Sequence, residues 1–231
     1  MEQSLISGLA ALNLPTDCVP TLLRYADLLL EKNKVMNLTA ITEPKDVAAL
    51  HFLDSLELLK LADLDGKTMV DVGTGAGLPG LPLRMANPTI HLTLLDSLGK
   101  RVTFLQEVCD DLGLNDVVCI HARAEEFAAQ KREQFDVATS RAVAALPVLC
   151  ELCLPLVRPG GVFLAMKSAD DGSELHSAQH AIAILGGKVE SVQDYTIPGT
   201  DVTHRLITIR KQDVSPKKYP RAFAKIKKAP L

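Results

Sequence analysis

The chain contains no tryptophan, and aromatic residues make up only 4% of its 231 positions. This composition leaves little surface on which nucleic-acid bases can stack. No apolar run is long enough to span a bilayer, and the first residues lack the basic region that opens a secretory signal, so we expect a cytoplasmic protein with no membrane partner. With 47% hydrophobic and 23% charged residues, the chain has the composition of a globular protein.

Metal-ligand patterns are equally sparse. The five cysteines are an odd number, and in a reducing compartment we expect no disulfides. Cys150 and Cys153 form a C-x-x-C pair within an apolar helical pattern, but no second pair or nearby histidine completes a zinc site, so we interpret them as core residues. His176 and His180 lack the glutamate of H-E-x-x-H and a third ligand, and they are interpreted as an exposed helix face. No bound metal is predicted.

The net charge is small, −3 at pH 7, but the charges are unevenly distributed. Residues 215–231 contain basic side chains and no acidic one. The basic residues are Lys217, Lys218, Arg221, Lys225, Lys227 and Lys228. An acidic body with a basic tail indicates a polyanionic partner, and a solvated, frayed terminus is the alternative that charge alone leaves open.

The order of predicted elements divides the chain into three parts. Residues 1–62 form helices, residues 63–212 alternate strands with helices, and residues 213–231 are the basic tail. The predicted strands are 67–72, 91–95, 117–121, 135–139, 162–166, 188–197 and 204–211. The alternation predicts an α/β fold with a mostly parallel sheet, and the two consecutive strands at the end predict that the last one runs antiparallel.

A glycine turn at residues 69–80, MVDVGTGAGLPG, is the most informative motif. It reads as a buried strand, a turn and a helix start. Gly73, Gly75 and Gly77 allow positive φ and leave no Cβ between the backbone and a ligand. Such a turn predicts a nucleotide-sized site at the carboxyl edge of a parallel sheet.

Two cofactors compete for this turn. The run from Gly75 to Gly80 matches GxGxxG, and Asp96 lies about 20 positions on, which would suit a nicotinamide dinucleotide. Asp71, however, would oppose a pyrophosphate and would suit a cationic cofactor without phosphate. The spacing therefore favours S-adenosylmethionine. A NAD-dependent oxidoreductase and a strand–turn–helix without any ligand are the alternatives.

The carboxyl ends of the predicted strands indicate where the site residues should lie. Asp96 should accept hydrogen bonds from both ribose hydroxyls, and the backbone around Ala124 and Glu125 should meet the adenine edge. Arg141 should lie beside the reactive end of the cofactor, and Lys167 ends the following strand.

Residues His51, Asp54 and Ser55 share one face of a predicted N-terminal helix. A capped, solvated face is the interpretation we favour from the pattern, and a face turned towards the cofactor cleft is the alternative.

Six motifs in order carry a resemblance to a known family. They are NLTAI at 37–41, HFLDSL at 51–56, DVGTGAGLPG at 71–80, LDSLGKR at 95–101, RAEE at 123–126 and SRAV at 140–143. Together they resemble the RsmG (GidB) family of bacterial guanine-N7 methyltransferases of small-subunit rRNA. The resemblance implies a class I methyltransferase fold, with a Rossmann-like seven-stranded sheet, an N-terminal helical extension, S-adenosylmethionine as cofactor and 16S rRNA as partner.

The resemblance also implies site residues. Its cofactor contacts correspond to Gly73, Leu78, Ala124, Glu125 and Arg141, with Asp96 as the ribose acid. The tail departs from the family pattern at residues 223–225.

The implied reaction needs no dedicated base, because guanine N7 has a lone pair, and catalysis then rests on positioning and electrostatics. We expect Arg141 to orient the base or its phosphate. Lys100, Arg101 and Lys167 are expected to hold the RNA backbone, and His51 and Asp54 are expected to be pocket residues. Since stacking surface is scarce, the expected substrate is rRNA within a small ribosomal subunit or its precursor. A non-catalytic RNA-binding module is the remaining alternative.

Overall fold

The computed structural model describes residues 1–170 and 172–231, and a seven-stranded sheet forms its centre. The strands are β1 Thr68–Val72, β2 His91–Asp96, β3 Val118–His121, β4 Phe135–Arg141, β5 Val157–Ser168, β6 Gly187–Thr196 and β7 Thr203–Lys211. They lie in the order β3-β2-β1-β4-β5-β7-β6. The first five strands pair in parallel, and β7 is antiparallel to both of its neighbours. The predicted α/β class and the antiparallel last strand are confirmed.

Helices cover both faces of this sheet. They are α1 Glu2–Leu12, α2 Val19–Met36, α3 Pro44–Asp46, α4 Asp54–Leu61, α5 Gly80–Ala86, α6 Gly99–Asp111, α7 Ala124–Gln130, α8 Leu146–Cys153, α9 Ser173–Ile184 and α10 Phe223–Lys228. A π-helical segment, Val47–Leu53, joins α3 to α4. The helices bury two separate hydrophobic cores, one shared by α1, α2, α4, α5 and α6 and the other by α7, α8, α9 and α10. Because both faces are covered, the central strands are apolar along most of their length.

Two strands extend beyond the predicted limits. β4 continues through Ser140 and Arg141, because these residues pair with Ala165 and Met166 of β5. β5 begins at Val157, five residues before the predicted start at residue 162, with a register irregularity against β4. The extension of β4 matters for function, because it places Arg141 in the last paired position of a central strand instead of in a loop.

The basic tail is docked on the body of the protein. Tyr219 is 6% exposed and Ile226 is fully buried. Arg132 donates hydrogen bonds to the carbonyl oxygens of Tyr219, at 2.7 Å, and Ser215. Arg221 pairs with the buried carboxylate of Glu151, at 2.6 Å. The frayed-terminus alternative is therefore wrong, although the five tail lysines remain exposed.

Candidate active site

The glycine turn lies between β1 and α5, where the ends of three parallel strands meet. Gly73 donates its backbone N–H to the Leu95 carbonyl at 2.8 Å, and Gly75 donates its own to Asp96 Oδ2 at 3.0 Å. These bonds attach the turn to the end of β2. Gly73, Gly75 and Gly77 all have positive φ, at 71°, 61° and 105°. The turn thus requires the left-handed conformation that glycine adopts at least cost.

The three glycines face different surroundings. A Cβ at Gly73 would lie 2.6 Å from the Val143 side chain, and a Cβ at Gly77 would lie 2.4 Å from Leu81. At Gly75 the nearest atom to such a Cβ would be a backbone oxygen 4.0 Å away. Gly75 is therefore the position in this turn where the backbone borders open space.

Asp71 lies beneath the turn and is fully buried. Its Oδ2 accepts hydrogen bonds from Thr74 Oγ1, at 2.7 Å, and from the Gly80 N–H, at 2.9 Å. Burial raises the pKa of this carboxyl to about 6. Sequence reasoning placed Asp71 against a cationic cofactor. In the structure it holds the turn and the start of α5, and its Oδ1 has no hydrogen-bond partner. Its role in cofactor binding stays a prediction.

A cleft of about 210 Å³ opens at the ends of β1, β2 and β3, and we call it the adenosine cleft. Gly73, Asp96, Ala124 and Glu125 line it together. These four residues were predicted to share one site from the strand ends alone. Leu78, by contrast, packs in the core with 7% of its surface exposed and does not line this cleft.

The donor and acceptor groups of the adenosine cleft fit S-adenosylmethionine. Asp96 Oδ1 accepts from the Leu98 N–H at 2.9 Å and Oδ2 accepts from Gly75. Arg101 Nη1 also lies 3.4 Å from Oδ2, and a carboxylate has about four lone-pair sites, so one acceptor site remains for a ribose hydroxyl. Gly75, whose Cβ position would have only a backbone oxygen within 4.0 Å, lies in the same turn as Gly73, which lines the cleft.

A second cleft of about 560 Å³ lies beside the first, and we call it the acceptor cleft. Its lining includes His51, Asp54, Arg141, Lys167 and His204. The segment at residues 141–143 separates the two clefts, since residues 141 and 142 border the acceptor cleft and residue 143 borders the adenosine cleft.

Asp54 is the centre of a buried hydrogen-bond network at the acceptor cleft. Its Oδ2 lies 2.6 Å from Arg141 Nη1, and its Oδ1 accepts from Tyr195 Oη at 2.9 Å and lies 2.8 Å from His204 Nδ1. Burial alone would raise the pKa of Asp54, but the His204 hydrogen bond and the Arg141 charge together lower it below its ordinary value. The carboxylate is therefore ionised, and it fixes the guanidinium of Arg141, which also donates to the Leu50 carbonyl at 3.1 Å.

Tyr195 and His204 were not identified from the sequence. They stand near the end of β6 and the start of β7, 141 and 150 positions from Asp54. Because β7 is antiparallel, its first residues reach the same sheet edge as the carboxyl ends of the parallel strands. The predicted antiparallel direction of the last strand could therefore have indicated that residues near its start lie at the site.

The polar face of residues 51, 54 and 55 is buried, so the solvated-face interpretation is wrong. His51 Nε2 lies 2.7 Å from Thr39 Oγ1, and burial lowers the pKa of His51 to about 4. The ring is therefore neutral at physiological pH. Ser55 donates its hydroxyl to the His51 carbonyl. Two members of this face, His51 and Asp54, border the acceptor cleft.

The structure separates the three basic residues expected to hold RNA. Lys167 borders the acceptor cleft, where its Nζ donates to the Ala144 carbonyl at 3.0 Å and pairs with Glu174 at 2.7 Å. Lys100 is exposed at the start of α6. Arg101 follows it and lies 3.4 Å from Asp96, beside the adenosine cleft. Their RNA contacts stay predictions.

The remaining candidates from the sequence show no second site. Cys150 and Cys153 are fully buried, and His176 and His180 are exposed on α9. Within residues 1–170 and 172–231, no group of three or more His, Cys, Asp or Glu side chains could hold a metal ion. None of the helices in the described part of the chain has the length and apolar character needed to cross a membrane.

Gly75→Ala should weaken cofactor binding, and its cost in stability should match that of alanine at another glycine with positive φ. The new methyl group would occupy open space on the turn that carries Gly73 into the adenosine cleft, and positive φ disfavours alanine. Gly113→Ala is the matched control, because Gly113 has a φ of 67° and no atom within 4 Å of its Cβ position. Calorimetric titration with S-adenosylhomocysteine should show a loss for Gly75→Ala only. Equal affinities for both variants would contradict this role of the turn.

Asp71→Asn should gain stability relative to the wild type as the pH rises. The folded state keeps the proton on Asp71 up to about pH 6, whereas the unfolded chain releases it near about pH 4, so the wild type loses stability as the pH rises through this interval. The variant removes this penalty, worth up to about 3 kcal/mol at neutral pH. Urea unfolding of both proteins at about pH 5 and about pH 7.5 measures the difference. A difference that does not change with pH would refute this assignment.

Comparison with known sequences gives a consistent result. A family described as GidB, rRNA small subunit methyltransferase G, matches residues 19–203. Among similar proteins, the ribosomal RNA small subunit methyltransferase G of Alkaliphilus metalliredigens is 50% identical over 216 residues, 92% of this chain and 90% of that protein. The protein of the same name from Alkaliphilus oremlandii is 48% identical over 237 residues, which cover 100% of this chain and 99% of its own.

Solved structures share the fold at low sequence identity. M. jannaschii TYW2, in complex with AdoMet, superposes with a TM-score of 0.55 at 14% identity, over 68% of this chain and 74% of its own. TrmN from Thermus thermophilus gives a TM-score of 0.53 at 21% identity, over 68% of this chain and 48% of its own. At these identities the likeness concerns the fold alone, and it confirms the class I methyltransferase architecture expected from the sequence.

Proposed function

Because the chain belongs to the rRNA small subunit methyltransferase G family, we propose that it transfers a methyl group from S-adenosylmethionine to N7 of a guanine in 16S rRNA. The observation that carries the proposal is the junction of the two clefts at residues 141–143. A cofactor in the adenosine cleft and a base in the acceptor cleft would be neighbours across this segment, with Arg141 beside the base. Membership of a methyltransferase family favours this function over a nicotinamide-dependent oxidoreductase.

The chemistry requires positioning more than proton transfer. The cofactor, when bound, supplies a methyl group on a cationic sulfur, and guanine N7 attacks with its lone pair. The N7–carbon bond forms, the carbon–sulfur bond breaks, and the electron pair stays on sulfur. The base becomes cationic as the sulfur becomes neutral, so no proton leaves in the step and no general base is needed. The residues of this chain then act by holding the two reactants in line.

Arg141 is assigned to orient the acceptor. Its guanidinium is fixed by Asp54 and by the Leu50 carbonyl, yet a guanidinium has five N–H donors and can present the others to the cleft. Guanine offers two acceptors, O6 and N7, on the edge that reacts. A donor to O6, or to the adjoining phosphate, would aim N7 at the methyl group. His51 and Asp54 support this geometry from the wall of the cleft.

Cofactor binding is assigned to the glycine turn, Asp96, and the backbone at Ala124 and Glu125. Asp71 supports the turn from below through its hydrogen bonds to Thr74 and Gly80, and Arg141 lies at the boundary between the two clefts. Leu78 supports the turn from the core. Lys167, at the acceptor cleft, and Lys100 and Arg101, at the start of α6, would hold phosphates.

The proposed substrate is a small ribosomal subunit or its precursor in the cytoplasm. Only 4% of the residues are aromatic, so the chain has little means of holding an unstacked base by itself. A preassembled particle would present the guanine already ordered.

The test is to incubate the protein with methyl-labelled S-adenosylmethionine and unmodified small subunits, and to map the label by nuclease digestion. A single 7-methylguanosine in 16S rRNA is the expected result, with more label on particles than on naked rRNA. The Gly113→Ala variant should label equally well, and Gly75→Ala should not. Cofactor binding without any labelled rRNA would instead support a non-catalytic RNA-binding module.

A further inference from the structure

Phe223 is exceptional among the aromatic residues of this chain. There are six phenylalanines, three tyrosines and no tryptophan, and the described part of the chain includes them all. Every one is buried except Phe223, which is only half-buried. This single accessible aromatic ring lies in the basic tail, at the first residue of α10.

The ring of Phe223 borders the adenosine cleft. It belongs to the same lining as Asp96, Ala124 and Glu125, which are the residues assigned to the ribose and the adenine edge. The tail is distant in sequence from all three and reaches them only because it folds back over the body of the protein. The aromatic ring therefore stands where a planar base would bind.

Neighbouring contacts hold this ring in place. The Arg123 guanidinium lies over it, 4.7 Å from the ring centroid, and Arg123 Nε pairs with Glu125 Oε1 at 2.7 Å. Two residues before the ring, Arg221 is bound to the buried Glu151, and three residues after it Ile226 is fully buried. The backbone is thus anchored before and after Phe223, and Arg123 covers one face of the ring. A side chain held in this way loses little further conformational freedom when a ligand stacks on its other face.

We propose that Phe223 stacks on the adenine ring of the bound cofactor and forms the outer wall of the adenosine cleft. This inference rests on the proposed function for the identity of the ligand. Aromatic rings stack on bases of any kind, since every base presents a π-face, and the contact complements the hydrogen bonds that Asp96 makes with the ribose. The basic tail then contributes directly to cofactor binding.

The absence of tryptophan gives a direct test. In Phe223→Trp the new indole is the only one in the chain, and its fluorescence should be quenched on titration with S-adenosylhomocysteine or adenosine but not with methionine. Val35→Trp, at a position on α2 that is 79% exposed, is the control and should not respond. If calorimetry detects S-adenosylhomocysteine binding to Phe223→Trp while its fluorescence stays unchanged, the stacking proposal is overturned.

Affinity provides an independent measurement. Phe223→Ala should weaken S-adenosylhomocysteine binding about tenfold, the usual loss when a base-stacking ring is removed. Val214→Ala, at an exposed position in the same tail, should leave the affinity unchanged. Thermal unfolding of both variants shows whether the tail stays folded. An unchanged affinity in Phe223→Ala would refute the stacking proposal and leave the proposed function standing. A wild-type protein that binds no S-adenosylhomocysteine would instead refute the cofactor assignment of the proposed function.

Discussion

Arg141→Ala should lower kcat/KM for methyl transfer by at least about 10²-fold while the protein remains folded. The side chain is 13% exposed and joins Asp54, on α4, to the junction of the two clefts. Removing it would take away the donor that we propose orients the acceptor. A displacement of about 1 Å in the reacting atoms is enough to cost about 10²-fold in rate.

The size of the effect depends on what remains around Asp54. Tyr195 and His204 still bond to its Oδ1 in the variant, so the carboxylate keeps two of its three side-chain partners. We therefore expect a stability loss much smaller than that of an isolated buried charge. Arg141→Lys should recover little activity, since an ammonium that bonds to Asp54 and to the Leu50 carbonyl lacks the additional planar N–H donors that Arg141 can present to the cleft.

Arg84→Ala is the matched control for Arg141→Ala. The Arg84 side chain is 12% exposed and forms an ion pair with Asp116 at 2.9 Å, but it lies on α5 and borders neither cleft. Single-turnover methyl transfer and S-adenosylhomocysteine titration should be measured for both variants. Near-normal turnover in Arg141→Ala would refute its orienting role. A comparable loss in Arg84→Ala would mean that the defect arises from general destabilisation.

The position of the glycine turn, Asp96 and the start of α7 at one edge of the sheet was predictable from local sequence patterns. Glycines at residues 73, 75 and 77, an acid at the end of the next strand and the turn before α7 all follow from strand ends and turn chemistry. Local patterns did not predict the structural role of Asp71. The sequence places Asp71 at the end of β1, two residues before Gly73, but only the folded structure shows that Thr74 and Gly80 both donate hydrogen bonds to its carboxylate.

The acceptor side was much harder to predict, because its contacts join distant parts of the chain. Asp54 meets residues 87, 141 and 150 positions away. Helical periodicity showed that His51 and Asp54 share a face, but periodicity cannot tell a solvated polar face from one that bonds to buried partners. The charge of the tail posed the same problem. Its lysines are exposed, as the pattern suggested. Arg221, however, forms an ion pair with the buried Glu151, and Phe223 lines the adenosine cleft.

Arg221→Ala should destabilise the folded protein by about 3 kcal/mol and weaken cofactor binding at the same time. Glu151 is fully buried, and Arg221 donates to it from Nε, Nη2 and the backbone N–H at 2.6 to 3.1 Å. Removing the guanidinium leaves the buried carboxylate of Glu151, on α8, without a charged partner. Either the charge stays buried and unpaired, or the tail detaches and water reaches the carboxylate. Both outcomes lower the stability of the folded protein.

The experiment compares Arg221→Ala with Arg210→Ala. The Arg210–Glu190 pair has side chains that are 40% and 44% exposed, so its loss should cost at most about 1 kcal/mol. Arg221→Ala should lower the midpoint of thermal unfolding by roughly 6 to 12 °C. Adding Glu151→Gln to Arg221→Ala should recover part of this loss, since the unpaired charge is then removed.

Cofactor affinity shows whether the tail of Arg221→Ala detaches from the body of the protein or stays docked beside an unpaired charge. If the tail undocks, Phe223 leaves the adenosine cleft, so S-adenosylhomocysteine should bind about tenfold more weakly and proteolysis should cleave between residues 215 and 231. Saturating cofactor should then protect the tail, because a ligand that binds only the docked state stabilises it by mass action. A variant that matches Arg210→Ala in stability would show that the buried pair does not hold the tail. A destabilised variant with normal affinity and no new cleavage would mean that the tail stays docked despite the unpaired charge.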